Sequence, residues 1–456
     1  MSSLQKTEHN VKSNDIKASQ EPIELQVRNL AIEGVTEEPT SPTNITDAEN
    51  ISPPLPLLKL LSSGVSFLVA GINDGSLGAL IPYMLSTYHI STSMISLIYF
   101  TTFLGWLVCA LTNTHLTKLF PLGTLLAIGA LIQVIPHTLR AWTPPFALYV
   151  VTFFMSGLGQ AYQDSHANTF VSTVKGAHRW LGFIHACYGL GLLISPFVAT
   201  SIAVKTQHEN GKWMLFYLFP LGLSVTNLAL VLVAFRDSVH LSQIIDQEGL
   251  SDPEREGRSR AAASEVKQML KIRDLWVFCL FFFFYLGVCT TSGGWIVEFL
   301  VRVRHGELSE MGYVPSGSYG GIFLGRLLLA EPTHRYGERR MLLLYAGICF
   351  ALQLVFWLVP NLISSIAMFS IMGFFLGPFF AAGVSVASKI FPKHLQPAAL
   401  GMIFVMAQAG GAIFPSLIGV IASHAGVKVL PPIVAGLIVV MSVTWAFVPK
   451  VDEHRE

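Results

Sequence analysis

Two aspartates, Asp74 and Asp164, interrupt otherwise apolar sequence, and both sit beside amides. Asp74 follows Asn73 in "GINDGSLGALIPYML", residues 71–85, and Asp164 lies in "GQAYQDSHANTFV" with Gln160, Gln163 and Asn168. Gln160, Asp164 and Asn168 are spaced by four, so on a helix they stack along one face. A charged group at mid-bilayer costs at least about 2.5–3.5 kcal/mol on insertion scales, so one that persists faces a cavity or a partner. The same half of the chain offers no obvious basic partner. A carboxyl in a low-dielectric cavity can take a proton from one side and release it on the other. Asp74 and Asp164 are therefore the expected proton-coupling acids, tied to the binding of a solute.

Other polar side chains in apolar surroundings are few. His185 and Tyr188 fall in the fifth apolar stretch, Trp295 and Glu298 late in the seventh, Arg326 in the eighth and Gln408 in the eleventh. Amides exchange hydrogen bonds with hydroxyls, and an aromatic face suits the apolar side of a sugar ring. The candidate solute-binding set is Asn73, Gln160, Gln163, Asn168, His185, Tyr188, Trp295, Glu298 and Gln408, and the expected ligand is small, neutral and polyhydroxylated. Plainer roles compete: a packing histidine for His185 and a solvated rim residue for Glu298. For Arg326 the preferred reading is a structural ion pair, or snorkelling to the membrane surface.

Positioning these residues takes a membrane-embedded helical scaffold. Of 456 residues, 52% are hydrophobic and 12% charged, against about a quarter charged in soluble domains. About twelve apolar segments fall near 60–86, 95–115, 121–140, 145–170, 179–203, 213–235, 273–300, 316–332, 340–359, 363–387, 396–422 and 427–449. Each is long enough to cross about 30 Å of hydrocarbon as a helix, which predicts an all-α membrane protein with twelve transmembrane helices. A net charge of +1 provides no field for nucleic acid. The expected partners are a small-molecule substrate, protons and the lipid bilayer, with the chain a monomer. Cys109, Cys187, Cys279, Cys289 and Cys349 show no zinc spacing and read as packing residues, so neither a metal nor a cofactor is expected.

Residues 1–56 are polar, without the apolar core of a signal peptide, and read as a disordered cytosolic tail. Asn44-Ile45-Thr46 is a glycosylation sequon that matters only if this tail faces a lumen. A six-helix lobe over 57–236, a central cytosolic loop over 237–272, a second lobe over 273–450 and a short cytosolic tail over 451–456 complete the expected organisation. Lys118, Lys175, Arg179, "HRYGERR" and Lys389 with Lys393 fall on the amino-terminal side; Arg140, Lys205, Lys212, Arg302, Arg304 and Lys428 fall in the opposite loops. The central loop, with "PEREGRSR", tips the balance toward cytosolic termini, in the plasma membrane or an internal membrane.

The two halves repeat. Gly182, Gly191 and Pro196 in "LGFIHACYGLGLLISP" recur as Gly401, Gly410 and Pro415 in "LGMIFVMAQAGGAIFP", each displaced by 219 residues. "FLGWL" at 103–107 recurs as "FLGRL" at 323–327, displaced by 220. The match indicates a parallel duplication, giving two pseudo-symmetric six-helix lobes related by an axis along the membrane normal. The glycines read first as close helix contacts.

On these residues the chain resembles the fucose permease branch of the major facilitator superfamily. Asn73-Asp74 matches an Asn-Asp pair in that branch's first helix, and Gly157, Gly159, Asp164, Asn168, Phe170 and Val171 match its fourth-helix pattern. The resemblance implies the major facilitator fold and roles in proton coupling and sugar binding for the two acids. It departs at Asp164, where the bacterial permease has Glu two residues nearer the glycines. It departs again at "EPTHRYGERR", where Glu331 and His334 replace the usual Gly and Asp of the loop signature. The long tail is like that of eukaryotic, fungal and animal relatives.

The function expected is secondary active transport by alternating access, as proton-coupled uptake of a neutral solute such as a sugar. No nucleophile elbow, Walker loop or dinucleotide fingerprint opens a soluble unit, which excludes the enzymes those motifs mark. Export of a drug or metabolite is the main rival, because the Phe-rich run "FCLFFFFYLG" at 278–287 could line an apolar cavity, although lipid-facing packing suits it better. A membrane sensor ranks lower, as no long basic tail supports it.

Overall fold

The computed structural model describes residues 55–175, 177–206, 212–239, 267–392 and 395–449. The amino-terminal tail with its sequon, most of the central loop and the carboxyl-terminal tail lie outside these residues. The described chain is helical throughout, with twelve principal helices. In the first half these are α1 (Leu55–Tyr88), α2 (Thr92–Leu119), α3 (Leu122–Arg140), α4 (Phe146–Thr173), α5 (Ala177–Thr206) and α6 (Leu218–Ala234). In the second half they are α7 (Arg273–Arg304), α8 (Val314–Leu328), α9 (Glu338–Leu358), α10 (Leu362–Ile390), α11 (Gln396–Ala425) and α12 (Leu430–Ala446). Helix α10 is two segments meeting at Gly377 and Pro378.

Ten helices are long and apolar enough to span a bilayer on length and composition alone. The remaining two are informative. Helix α4 carries the polar run that dilutes its hydropathy, and α8 has 15 residues. The eighth segment, expected to reach 332, stops at Leu328, and a short helix follows at Ala330–Tyr336. Pro332 lacks the N–H needed to continue α8, and it sits comfortably in the first turn of a new helix.

The halves pack alike. In the first, α1 lies on α5 and α6, α4 on α2 and α3, and α3 on α6; in the second, α7 lies on α11 and α12, α10 on α8 and α9, and α9 on α12. The duplicated glycines show why. A Cβ on Gly191 would collide with the Leu68 carbonyl of α1, and one on Gly410 with the Phe283 carbonyl of α7. Only a side chain of hydrogen lets these backbones approach so closely. The other repeat pair, Gly182 and Gly401, has nothing within 4 Å, so the close-packing reading holds for Gly191 and Gly410 and not for these two.

The lobes meet along α1–α7, α2–α11 and α5–α8. Thr92 Oγ1 donates to the Gly419 carbonyl (2.9 Å), Ser96 Oγ to that of Ser416 (2.7 Å), and Ser416 Oγ returns a bond to the Ser96 carbonyl (3.1 Å). Ser316 Oγ donates to the Leu193 carbonyl (2.9 Å), and the hydroxyls of Ser201 and Tyr313 pair at 3.1 Å. Gly78 packs against Gly293 backbone to backbone. Among the described residues, the side-chain hydrogen bonds joining the lobes all lie in the half toward Tyr88. The lobes are fastened at that end, and Gly182 and Gly401 toward the opposite end face open space.

Leu111, Leu131, Val151, Phe197, Val225, Leu344, Ile363 and Val443 are exposed apolar side chains distributed over both lobes. So much exposed apolar surface suits hydrocarbon, not water. Most of the Phe run packs within its own lobe, while Leu280 is exposed. Phe281 and Phe282 are fully buried inside the second lobe, where Phe281 packs on Phe379 and Trp445, and Phe283 and Phe284 pack on Phe414. Four consecutive residues of a helix point all round it, and α7 is enclosed by α11, α12 and α1.

Candidate functional site

Asp74 lies midway along α1, half-buried on the face turned toward α4, α5 and the second lobe. Its Oδ2 accepts from Gln160 Nε2 (2.9 Å) on α4 and from the Tyr188 hydroxyl (3.0 Å) on α5. Its Oδ1 accepts from Asn73 Nδ2 (3.1 Å). Three helices thus converge on one carboxylate, and four of the residues singled out from sequence meet there. Asp164, one turn beyond Gln160, is within electrostatic range of Asp74, and its own Oδ1 is buried without a hydrogen-bond partner.

The expectation that these acids have no basic partner is overturned. Arg140 is not an outer-loop residue: it is the last residue of α3 and 0% exposed. Helical side chains lean toward the helix amino terminus, so a long side chain at this end of α3 points back into the membrane. Arg140 Nη1 donates to Asn73 Oδ1 (3.0 Å), Nε to Thr152 Oγ1 (2.7 Å) and Nη2 to Ser156 Oγ (3.0 Å), and the guanidinium lies 3.7 Å over the Phe153 ring. A buried charge persists only when hydrogen-bonded and compensated. Here three acceptors and an aromatic face hold it, and Asp74 is the nearby opposite charge. A signal was present in the sequence: Thr152 and Ser156 extend the four-residue stripe of Gln160, Asp164 and Asn168 along α4.

Other candidates lie elsewhere. Gln163, offset from Gln160 by about 60° around the helix, is fully buried toward α3 and α6. Its Oε1 accepts from Gln133 Nε2 (2.6 Å) and Asn227 Nδ2 (3.1 Å), and Asn227 Oδ1 accepts from Ser66 Oγ (2.8 Å). This network ties four helices of the first lobe together away from Asp74. Asn168 Nδ2 donates to the Asp164 backbone carbonyl (2.9 Å). Trp295 is buried, its indole N–H donating to the Pro415 carbonyl (2.9 Å). Gln408 is half-buried on α11. Glu298, 4% exposed, pairs with Arg302 (3.0 Å) beside a cleft of about 550 Å³ at the Tyr88 end, lined also by Pro82, Thr92 and Ser423. It belongs to the seam between the lobes, more enclosed than a solvated rim residue.

His185 spans the lobes, its ring edge-on to Phe67 (5.2 Å) and tilted against Phe380 of α10 (5.8 Å). From the second lobe Tyr319 comes within electrostatic range of Asp74, with its hydroxyl against Gly293. Tyr319 was not singled out from sequence, because an isolated Tyr in "PSGSYGGIFLG" carries no spacing signal. Among the described residues, no three His, Cys, Asp or Glu side chains converge as a metal site would require.

A sequence model of the Major Facilitator Superfamily matches residues 64–370 and 296–456. The chain is 27% identical over 429 residues to "Bypass of stop codon protein 6" of Saccharomyces cerevisiae, covering 88% of this chain and 85% of that protein. It is 22% identical over 355 residues to the "Glucose/mannose transporter GlcP" of Bacillus subtilis, covering 77% and 85%. Its fold superposes on the solved "E.coli Fucose:proton symporter, FucP" with a TM-score of 0.60 at 17% identity, covering 87% of this chain and 99% of that one.

Proposed function

The chain belongs to the Major Facilitator Superfamily and is a membrane transporter, not an enzyme, and from that premise we propose that it carries a small neutral solute such as a sugar together with protons. The observation that carries this reading is Asp74, half-buried between the lobes, held by three neutral donors and coupled to a second acid whose Oδ1 lacks a partner. A proton arriving on Asp74 releases Gln160 and Tyr188 to hydrogen-bond a hydroxylated solute. A proton leaving lets both donors return to the carboxylate. The solute and the proton thereby draw on one set of donors, which is the physical content of coupling. The names of the glucose/mannose and fucose relatives support the solute class.

Alternating access follows from a seam fastened at one end. The solute enters when the Ser–carbonyl contacts at the Tyr88 end separate and leaves at the opposite, cytosolic end where the lobes stand apart, each state exposing Asp74 to one side. The termini are assigned to the cytosol on the Lys/Arg balance. Burial of Arg140 removes one charge from the opposite side, and Arg304 there is tied to the Phe356 carbonyl and Ser365. The protein works as a monomer in the plasma membrane or an internal membrane. Export of an apolar drug loses its sequence support, since the Phe run packs inside the second lobe.

The test is uptake of labelled sugars by proteoliposomes, with and without an imposed pH gradient. Asp74→Asn is expected to abolish accumulation against a concentration gradient. Unchanged accumulation and unchanged pH response in Asp74→Asn and Asp164→Asn would sink the mechanism.

A further inference from the structure

Arg326 sits on α8 where that helix meets α5. A Cβ built on Gly189 would stand 4.0 Å from its Nη1 and 3.6 Å from Phe323. The guanidinium therefore rests against α5 one residue beyond Tyr188, whose hydroxyl holds Asp74. His185 of α5 and Cys289 of α7 are its polar neighbours, and the Tyr285 hydroxyl of α7 accepts from it. It is half-buried, at a junction of both lobes.

The structural ion pair expected for this residue does not form. Among the described residues no carboxylate reaches ion-pair distance of Arg326, so it has no structural ion pair. Its Nε is buried with no acceptor. A guanidinium stays charged and presents donors in a fixed planar fork. Leaving such a donor buried and unmet is costly, and the cost is relieved by an acceptor that arrives with a ligand.

We propose that Arg326 is the second lobe's contact to the transported solute, its fork donating to two adjacent hydroxyl oxygens. This rests on the reading of the chain as a carrier of a hydroxylated solute. Gln160, Tyr188 and Asp74 serve the solute from the first lobe and Arg326 from the second, so one molecule bridges the two. A ligand held from both sides binds best when the lobes draw together around it, and that differential affinity is what drives the conformational step. A carboxylate would fit the same fork, and the test separates the two chemistries.

The experiment measures binding to the purified full chain by ligand-dependent thermal stabilisation. D-glucose and D-mannose serve as neutral probes, and D-gluconate and D-glucuronate as acidic ones. A neutral probe is expected to bind wild type, to lose about tenfold or more in affinity in Arg326→Gln, and to fall between in Arg326→Lys, whose ammonium cannot fork. If Arg326→Gln does not elute as a folded species, Arg326→Lys carries the comparison, since a merely structural positive charge predicts wild-type affinity there. Binding by an acidic probe alone, weakened in the same way, supports the contact and overturns the neutral solute class. Affinity in Arg326→Gln within about threefold of wild type overturns the assignment and leaves proton-coupled transport standing. Failure of all four probes to bind wild type overturns the ligand class, and proton-driven uptake in proteoliposomes then decides the wider reading separately.

Discussion

Arg140 and Asp74 are joined through a single amide: Asn73 accepts from the guanidinium at 3.0 Å and donates to the carboxylate at 3.1 Å. The charges do not touch, so the carboxylate keeps its second oxygen for Gln160 and Tyr188. A direct bidentate pair would occupy both oxygens and fix the acid as a structural ion. The inserted amide leaves it chemically available.

Removing that guanidinium strands three acceptors and the charge balance of the lobe. Arg140→Gln is expected to destabilise by about 3–5 kcal/mol, read as a lowered Tm of the purified protein, and to abolish accumulation. Arg140→Lys recovers little of either, because one ammonium cannot reach Asn73, Thr152 and Ser156 in their present directions. Wild-type Tm in the Lys variant would show that charge alone suffices.

Asp164 is expected to matter more for transport than for stability. Its Oδ1 is buried with no partner, so the neutral isostere in Asp164→Asn is expected to leave Tm unchanged or raise it while accumulation falls at least tenfold. A lowered Tm with intact transport contradicts both halves of this expectation.

Gln160 and Gln163 separate site from scaffold. Gln163→Leu leaves Gln133 and Asn227 without their shared acceptor and is expected to cost about 1–3 kcal/mol of stability. Gln160→Leu takes one donor from Asp74 and is expected to change the pH response of uptake more than the Tm.

The repeat glycines give an internal control. Gly410→Ala drives a methyl into the Phe283 backbone and is expected to cost about 1–3 kcal/mol by overpacking. Gly401→Ala meets nothing within 4 Å and gains helix propensity, so its Tm is expected to hold or rise. Equal losses in the two would remove the packing explanation.

One ion pair at the end of the bundle, whose Asp237 lies beyond the apolar spans, reports on pH. Lys59 Nζ donates to Asp237 Oδ2 at 2.6 Å, and that hydrogen bond holds the Asp237 carboxyl below the usual range. With the folded value lowered, the pair contributes fully above about pH 5, where an unfolded Asp is almost wholly ionised. The contribution is lost as pH falls through the folded value. Asp237 is half exposed, so the Tm difference between wild type and Asp237→Asn is expected to be small at pH 7, to shrink with salt and to close in acid.

Helix number, order and lobe division were legible in the sequence because crossing hydrocarbon demands long apolar segments, and all twelve expected segments are helical. The meeting of Asp74, Gln160 and Tyr188 was partly legible, since four-residue spacing puts Gln160 on the face of Asp164. Spacing gives the relative direction of side chains on one helix, and it is silent on which neighbour each face meets. Gln163, three residues from Gln160, therefore turned out to hold the scaffold, and Trp295 to cap a carbonyl of α11. Arg140 was misread because a charge at a helix end looks like a loop charge until the direction of its side chain is known.

The fastening at the Tyr88 end has a further consequence. Its donors are serine and threonine hydroxyls on helices, which can swing from a neighbouring helix's carbonyl to one a turn back on their own. Ser292 and Thr290 of α7 already make that inward bond. When the lobes part, Ser96 and Ser416 need not be stranded in hydrocarbon, and their backbone partners still keep their own helical bonds. The seam behaves like a press-stud with a resting position on either side, so little of the barrier to opening comes from orphaned polar groups.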